Sequence, residues 1–276
     1  MNIEVNLEIN TDRAQKIIAE FIQNETQRAG YHKAVVGVSG GLDSSLACFL
    51  ATQALGPQNV LAIRMPYKTS SPESLAHAEL VINQLGVQSL TLPITPMADA
   101  LIDQFPEMSK VRKGNIMTRC RMIVLYDQSV AFNGLVVGTG NKTEILLGYT
   151  TLFGDSACAF NPVGDLYKTQ ARQLARAMHM PEEIINKAPS ADLWVGQTDE
   201  GELGFTYAEV DKLLYLLIDE RYTAQQCVQA GFDRQFVDSV MERVRRFHFK
   251  RVMPPIAKLS SRTIADDILY LRDLGL

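Results

Sequence analysis

The stretch "KAVVGVSGGLDSSLACFLA", residues 33–51, decides the fold that this sequence predicts. Its apolar run at 34–38 is typical of a buried strand, and the run that follows residue 43 is typical of a helix. Between the two runs, the Ser-Gly-Gly segment at 39–41 predicts a turn from which backbone N–H groups can approach an anion. A strand, a glycine turn and a helix N-terminus form the usual geometry of a phosphate-binding loop. The stretch therefore predicts an α/β protein with a phosphate site after its first strand.

Strands and helices alternate through the first half of the sequence. Thr11 or Asp12 is the expected N-cap of the first helix. The alternation predicts a Rossmann-like, doubly wound parallel sheet with helices on both faces. Buried strands are predicted at 33–38, 59–66, 87–94 and 134–140, and helices at 11–29, 44–55, 71–86, 96–105 and 110–132.

The second half of the sequence predicts a helical C-terminal part. The polar segment 190–206 contains glycines and is expected to be a loop. The chain contains no linker rich in proline, glycine or serine, so we expect one domain over residues 1–276. Helices are predicted near 166–179, 181–187, 207–220, 222–229 and 232–248.

The composition excludes several classes of function. The chain has 276 residues, a formal net charge of −4 and 46% hydrophobic residues, whereas nucleic-acid binding usually needs a basic face. The sequence has neither an apolar run of about 18 residues nor the pattern of a signal peptide. Its four cysteines are far apart and form no C-x-x-C pair, which is typical of reduced thiols. We therefore expect a cytoplasmic protein with no nucleic-acid or membrane partner.

The loop at 39–45 differs from the two common phosphate loops. It lacks the lysine of a Walker A motif and the glycine spacing of a dinucleotide-binding motif. Its glycines and serines still offer N–H and O–H donors at a helix N-terminus. Asp43 would repel a phosphate unless a hard cation such as Mg²⁺ bridges them. The alternative is a plain turn in which Asp43 only caps the helix.

Three features downstream add polar groups near the same edge of the sheet. Thr139 and Glu144 follow the fourth strand, and Glu144 is a candidate second ligand for the cation. Lys168 lies at a helix start, where an amine is unfavourable unless an anion is nearby. The segment 187–207 is polar, contains three glycines and is typical of a loop that closes over a site. The alternative is a helix cap at Thr139 and a surface glutamate at 144.

These motifs carry a resemblance to a known family. "SGGLDS" resembles the pyrophosphate loop of the ATP pyrophosphatases, which transfer AMP from ATP to a carboxylate or carbonyl oxygen. With "GTGNKTE", "NPVGDLYKTQ", "PSADLWVGQTDEGELG" and "Y…D", nearly the whole chain from about residue 13 resembles the NAD synthetases. Only about 30 residues precede the first strand. We therefore expect the ammonia-dependent form, without a glutaminase domain.

The resemblance implies a set of site residues. Mg²⁺ would be bound by Asp43 and Glu144, and Asp43 and Lys168 would act in catalysis. Deamido-NAD would contact Arg119 and Arg121, and the C-terminal "FHFKR" would add Lys250 and His248. The implied contacts to ATP come from Ser39, Gly40, Gly41, Leu42, Asp43, Ser44, Ser45, Arg64, Thr139, Lys168 and Ser190.

The sequence departs from the commonest family pattern, "TKYGDGG.D", at two positions. Leu152 replaces the lysine and Ala159 replaces the final aspartate, so neither dinucleotide contact is carried over. The variant "TLFGDSACAFNP" is more similar to a branch that includes some glutamine-dependent enzymes. Within it, Asp155 is a candidate general base for the incoming ammonium, with a turn residue as the alternative.

The resemblance implies a reaction and its partners. The carboxylate of deamido-NAD would attack the α-phosphate of ATP, and ammonia would then displace AMP to form NAD. ATP is the co-substrate, Mg²⁺ the cofactor, and a homodimer the expected assembly. The alternatives are another ligase of the ATP pyrophosphatase type, tRNA-modifying or sulfur-transferring, and a non-catalytic ATP-binding regulator.

Overall fold

The computed structural model describes residues 5–194 and 196–259. Its sheet consists of four parallel strands in the order β3-β2-β1-β4. The strands are β1 (Ala34–Gly37), β2 (Val60–Arg64), β3 (Gln88–Thr91) and β4 (Leu135–Val136). The predicted fold class, a doubly wound α/β sheet with a helical C-terminal part, is confirmed.

Helices account for most of the remaining regular structure. A π-helical turn at Tyr215–Asp219 and short 3-10 helices at Pro57–Asn59 and His248–Lys250 supplement the α-helices. The α-helices are α1 (Thr11–Arg28), α2 (Leu42–Leu55), α3 (Pro72–Leu85), α4 (Thr95–Ile102), α5 (Lys110–Phe132), α6 (Lys142–Leu147), α7 (Lys168–Ala177), α8 (Glu182–Ile185), α9 (Asp199–Leu203), α10 (Tyr207–Leu214), α11 (Ala224–Gln229) and α12 (Arg234–Arg246).

The two central strands are covered by helices on both faces. Alternate residues of β1 and β2 pack into a large core with α1, α2 and α7, whereas Val35, Leu61 and Ile63 face the opposite side. There they pack against Val124 and Leu125 of α5. Burial on both faces explains why these strands read as continuous apolar runs instead of alternating patterns.

A second core lies within the helical C-terminal part. It is built mainly from α10, α11 and α12, and Leu147 at the end of α6 and Tyr167 at the start of α7 belong to it. The end of α6 and the start of α7 are therefore fixed by the second core, while α2 and the rest of α7 belong to the first. This arrangement places three helix N-terminal regions close together at the carboxyl edge of the sheet.

Several boundaries differ from the sequence-based expectation. Helix α5 has the predicted bounds, but α1 is capped by Asn10 instead of Thr11 or Asp12. Strand β4 contains only two residues, because the chain leaves the sheet after an isolated bridge between Val137 and Phe160. Helix α6 was not predicted, and the expected loop at 190–206 contains the short helix α9.

The sequence predicts no membrane-spanning segment and reduced cysteines, and the structure gives one observation on each. Across the described ranges, every helix is too short or too polar to cross a membrane. The four cysteines, Cys48, Cys120, Cys158 and Cys227, are free thiols.

Candidate functional site

The loop between β1 and α2 is shaped by one glycine. Gly40 has φ +79°, and a Cβ placed on it would lie 2.1 Å from the carbonyl oxygen of Ser74. Only glycine fits this combination of backbone angle and close approach. Gly41 is the N-cap of α2 and has no side chain with which to cap it. The N-terminus of α2 is therefore left to a ligand, as a phosphate loop requires.

A three-residue charge cluster lies beside this loop. Lys168 Nζ is 2.5 Å from Asp43 Oδ2 and 3.1 Å from Glu144 Oε1. Asp43 belongs to the first turn of α2, Glu144 to α6, and Lys168 is the first residue of α7. The lysine is almost fully buried, at 4% exposure. The three residues that the sequence singled out for magnesium and phosphate chemistry therefore meet at one point.

Asn141 completes the hydrogen bonding of the two carboxylates. Its side chain donates to Asp43 Oδ1 at 3.2 Å, and its backbone N–H donates to Glu144 Oε2 at 3.3 Å. The side-chain oxygen of Asn141 accepts from the N–H of Glu144, so the pair forms the capping box of α6. Each carboxylate oxygen of Asp43 and Glu144 thus has a partner.

Burial and charge set the protonation of this cluster. Burial raises the pKa of Glu144 to about 7; Lys168 opposes this shift, and the neighbouring charges of Asp43 and Asp199 add to it. Burial alone would lower the pKa of Lys168, but Asp43 and Glu144 raise it above its ordinary value. Lys168 therefore stays charged and holds two acids together that would otherwise repel each other.

The cluster forms part of the wall of a cavity of about 970 Å³. The 39–44 loop, the 187–199 segment and the C-terminal end of α12 also contribute to the wall. This volume is at the upper end of the range for small-molecule sites. The predicted site residues that line it are Ser39, Gly41, Leu42, Asp43, Ser44, Arg64, Arg121, Thr139, Glu144, Asp155, Lys168, Ser190 and Lys250.

Four predicted residues are not among the described residues that line this cavity. Gly40 lies behind the loop against α3, and Ser45 is fully buried, its hydroxyl unpartnered within the described chain. Arg119 lies in a separate groove with Phe105 and donates to the carbonyl of Leu152 at 3.2 Å. His248 approaches Arg251 at 3.2 Å. The roles given to these four remain predictions from sequence.

Arg121 and Lys250, the two predicted dinucleotide-binding residues that line the cavity, are fixed by hydrogen bonds to backbone carbonyl groups. Arg121 donates to the carbonyl of Met65 at 3.1 Å, and burial lowers its pKa. Lys250 donates to the carbonyls of Gly148 and Thr150 at 2.8 and 2.5 Å, and burial lowers its pKa too. Both cations are therefore fixed in the wall beside the cavity.

Asp155 lies in the same part of the wall. Its carboxylate accepts a hydrogen bond from the N–H of Thr151 at 2.7 Å. The side chain is open to the cavity but surrounded by its walls, and this enclosure raises the pKa of Asp155 although Lys250 and Arg121 oppose the shift. A raised carboxyl pKa suits a group that accepts a proton near neutral pH.

Residues 187–194 and 196–206 cover one side of the cavity. Asp199 accepts hydrogen bonds from the hydroxyls of Tyr149 and Tyr207, at 3.1 and 3.2 Å. Tyr149 also donates to Glu202, which in turn accepts from Gln197. Ser190 and Trp194 lie in the wall of the cavity on this segment. The segment is thus attached to the loop that follows α6.

The donor set suits a magnesium ion shared with a substrate. Within the part of the chain that the structure describes, no group of three or more histidine, cysteine, aspartate or glutamate side chains could hold a metal ion alone. Asp43 and Glu144 supply two hard oxygen ligands, and Mg²⁺ is usually held by one or two carboxylates together with substrate phosphates. The residues present therefore fit Mg²⁺ bound together with a phosphate ligand.

Three polar residues of the site were missed in the sequence. Asn141 and Thr143 flank Lys142 at the start of α6, and Asp211 lies on α10; all three are fully buried. The N-x-x-E spacing of Asn141 and Glu144 is a capping-box signal that could have revealed α6 and the role of Asn141. The sequence predicts no role for Asp211.

Comparison with known proteins agrees with this geometry. The sequence model of the NAD synthase family matches residues 14–254. The NH(3)-dependent NAD(+) synthetase of Trichlorobacter lovleyi is 55% identical over 269 residues, which is 98% of each chain. That of Chlorobaculum parvum is 50% identical and covers 97% of each chain.

Solved structures give the same result. The NH3-dependent NAD synthetase from Campylobacter jejuni, in complex with the nitrate ion, superimposes with a TM-score of 0.79 at 32% identity, covering 91% of this chain and 100% of that one. The NMN synthetase from Francisella tularensis gives a TM-score of 0.81 at 28% identity with the same coverage. The sequence and structural matches extend over nearly the whole chain, and the chain therefore belongs to the NAD synthase family.

Proposed function

We propose that this chain forms NAD from deamido-NAD, ATP and ammonia, releasing AMP and pyrophosphate. One observation carries the proposal: Lys168 is buried between Asp43 and Glu144, beside the N-terminus of α2 in a cavity large enough for a nucleotide. The names of the relatives, NH(3)-dependent NAD(+) synthetases, support the choice of substrates.

The phosphates of ATP would bind at the 39–44 loop. The N–H groups at the start of α2 and the hydroxyls of Ser39 and Ser44 would donate hydrogen bonds to the β- and γ-phosphates, and Lys168 would offset their charge. Thr139, Ser190 and Arg64, which line the same cavity, would contact the rest of ATP. Holding the outer two phosphates in this way favours pyrophosphate as the leaving group.

Magnesium would be held by Asp43 and Glu144 together with phosphate oxygens. When bound, Mg²⁺ neutralises charge that develops on the phosphates. Lys168 already lies between the two carboxylates and is bound to both, so it holds them close together. The lysine and the acids therefore form a prearranged frame into which the phosphates and their cation fit.

The reaction has two steps whose atoms balance. A carboxylate oxygen of the nicotinate attacks the α-phosphorus of ATP, the bond to the β-phosphate breaks, and pyrophosphate leaves. Ammonia then attacks the carbonyl carbon of the acyl-adenylate, the bond from this carbon to the bridging oxygen breaks, and AMP leaves with the former carboxylate oxygen. The nitrogen loses one proton to solvent and becomes the amide. The chain contributes mainly position and charge: Arg121 and Lys250 would orient the dinucleotide near the 39–44 loop.

Asp155 would take the proton of the incoming ammonium ion. Its place in the cavity wall and its raised pKa support this role. We expect Asp155→Asn to lower the rate of NAD formation at neutral pH by about 10²-fold or more, and the loss to be reduced at high pH, where free ammonia is abundant. Near-normal turnover of this variant at neutral pH would contradict the assignment.

The assembly and location follow the same proposal. We propose a cytoplasmic protein, as the sequence predicts. We also propose a homodimer, because the groove of Arg119 lies outside the main cavity and the side chains of Val111, Ile123 and Val130 on α5 are apolar and exposed. We also propose one domain over the whole chain, with free ammonia as the nitrogen source.

A product assay tests the function. The protein is incubated with ATP, Mg²⁺, deamido-NAD and ammonium, and the products are separated by chromatography. We expect equal amounts of NAD, AMP and pyrophosphate, with no ATP consumed when deamido-NAD is omitted. Replacing deamido-NAD by nicotinate mononucleotide tests the choice of the dinucleotide. Formation of ADP and phosphate, or preference for the mononucleotide, would overturn the proposal.

A further inference from the structure

The N-terminus of α7 is capped by side chains from two other helices. Tyr167 occupies the N-cap position, but its hydroxyl donates to Asp219 instead of serving the helix. Asp211 of α10 accepts a hydrogen bond from the N–H of Thr169 at 2.8 Å. Thr143 of α6 accepts one from the N–H of Lys168 at 3.1 Å. The first two N–H groups of α7 are thus satisfied from outside the helix.

Asp211 and Thr143 are themselves joined. The hydroxyl of Thr143 donates to Asp211 Oδ1 at 2.6 Å, while Oδ2 of the same carboxylate accepts from Thr169. Both side chains are fully buried, at 0% exposure. Burial raises the pKa of Asp211, and its bonds with Thr143 and Thr169 oppose that shift. One buried carboxylate therefore ties α10, α6 and α7 together.

The hydrogen bonds of Asp211 with Thr143 and Thr169 lie directly beside the cluster of Asp43, Glu144 and Lys168. Thr143 directly precedes Glu144 in the chain. Its hydroxyl oxygen accepts a hydrogen bond from the backbone N–H of Lys168. A shift of α7 along its axis would move Lys168 Nζ relative to Asp43 and Glu144, to which it is bound at 2.5 and 3.1 Å. Asp211 lies outside the set of described residues that line the cavity. It therefore affects a bound phosphate without touching it, through these two helices and through the effect of its charge on Lys168.

The N-termini of α2 and α7, which both lie at this edge of the sheet, differ in whether their N–H groups already have partners. Helix α2 has glycine at its N-cap and opens toward the cavity, whereas α7 has its first N–H groups taken by Asp211 and Thr143. An acid at a helix N-terminus is favourable for the helix and excludes a second anion from it. Phosphate is thereby directed to α2, and the side chain of Lys168 reaches the cavity from the first position of α7.

We infer that Asp211 is a positioning residue: through Thr143 and the first turn of α7, it sets the reach of Lys168 toward ATP. The inference rests on the proposed function, in which Lys168 meets the phosphates. In Asp211→Asn, the amide can accept only one of the two hydrogen bonds, because its –NH₂ group then faces a donor. In Thr143→Val, the link between Asp211 and the N–H of Lys168 is lost, while Thr143→Ser keeps the hydroxyl.

The test is the affinity for ATP with Mg²⁺, measured by calorimetry in the absence of deamido-NAD. We expect Asp211→Asn and Thr143→Val each to weaken ATP binding about tenfold, and Thr143→Ser to restore it. Circular dichroism and thermal unfolding show whether each variant is folded at the temperature of the titration. If Asp211→Asn fails to fold, the Thr143 pair carries the test.

A double-mutant cycle separates positioning from a general loss of structure. In a Lys168→Gln background, Asp211→Asn should have no further effect on ATP affinity, because the group that it positions is gone. Unchanged affinity in the single variants, or an equal tenfold loss in both backgrounds, would overturn the inference.

Failure of the proposed function would be recognised separately. If the protein binds ATP but forms no NAD, the proposed function is wrong. The double-mutant cycle then still tests the role of Asp211, because it measures ATP affinity. A chain that binds no ATP contradicts both, because Lys168 would then have no phosphate to meet.

Discussion

Lys168 and Asp43 are 125 residues apart in sequence, yet Nζ of the lysine lies 2.5 Å from Oδ2 of the aspartate. The contact joins the first turn of α2 to the first residue of α7, and Glu144 of α6 completes it. The proposed chemistry depends on this contact, because it places a cation and two acids beside an open helix N-terminus.

Loss of the lysine should impair both the protein and the reaction. We expect Lys168→Gln to lower the rate of NAD formation by about 10²-fold or more, because a charge that faces the phosphates is removed. The ligand-free variant should also be less stable by about 3 kcal/mol, since two buried acids lose their shared partner. Steady-state kinetics and urea unfolding measure the two effects. Lys212→Gln, at an exposed position on α10, is the control; equal losses in both variants would contradict the account.

The phosphate loop can be tested with two glycines that share one backbone angle. Gly30 and Gly40 both have φ +79°, but a Cβ on Gly30 would meet no described atom within 4 Å, whereas on Gly40 it would collide with the Ser74 carbonyl. Gly30→Ala should cost about 1 kcal/mol of stability and leave ATP binding intact. Gly40→Ala should weaken ATP binding about tenfold or more, as measured by calorimetry. Similar ATP affinity in both variants would show that the loop does not hold the phosphates.

The buried acid Glu144 should make the stability of the ligand-free protein depend on pH. Its pKa is raised from 4.5 to about 7 by burial, so between these values the folded state binds more protons than the unfolded state. Stability from this group is therefore present below about pH 4.5 and is lost as the pH rises through about 7. Urea unfolding in EDTA at several pH values should show Glu144→Gln gaining stability relative to the parent as the pH rises from about 5 to about 8. Parallel curves, or the opposite trend, would contradict the burial of this acid.

The thiols should differ sharply in reactivity. Burial raises the pKa of Cys48 to about 12, and Cys227 and Cys120 are also buried. Cys158 is only partly buried. The thiolate is the reactive form, and burial raises the pKa of Cys158 too, so access to the reagent decides which thiol reacts. Labelling of the native protein at about pH 8 should therefore modify Cys158 first. Mass spectrometry identifies the labelled residue, and Cys158→Ser should remove the signal. Rapid labelling of Cys48 would show that α2 is less well packed than described.

The sequence predicts the sheet well because its signals are local. The apolar runs of β1 and β2 and the helix of α5 with its cap Ser109 are set by residues that are neighbours in the chain. Helix α6 lacks a clear signal apart from its capping box, and α9 contains Gly201 in its interior, so neither was predicted. A short helix is set mainly by its caps and by the core onto which it packs, and only the caps are visible in the sequence.

The site is predictable in its residue types but not in its contacts. The motifs name Asp43, Glu144 and Lys168, but the sequence does not show that the lysine binds both acids. Sequence reasoning could have separated Arg119 from Arg121, because residues two apart on a helix do not face the same way. The structure places Arg121 in the cavity and Arg119 in the separate groove. Asp211 could not be found, because its role arises from contacts among three helices that are distant in sequence.

The most direct test of the account follows one oxygen atom. Deamido-NAD labelled with ¹⁸O in both oxygens of its nicotinate carboxylate is converted with ATP, Mg²⁺ and ammonium, and the products are analysed by mass spectrometry. If the carboxylate attacks the α-phosphate, each AMP carries one labelled oxygen, each NAD amide keeps the other, and pyrophosphate carries none. Label in pyrophosphate or inorganic phosphate, or unlabelled AMP, would contradict the claim that this site activates a carboxylate by adenylation.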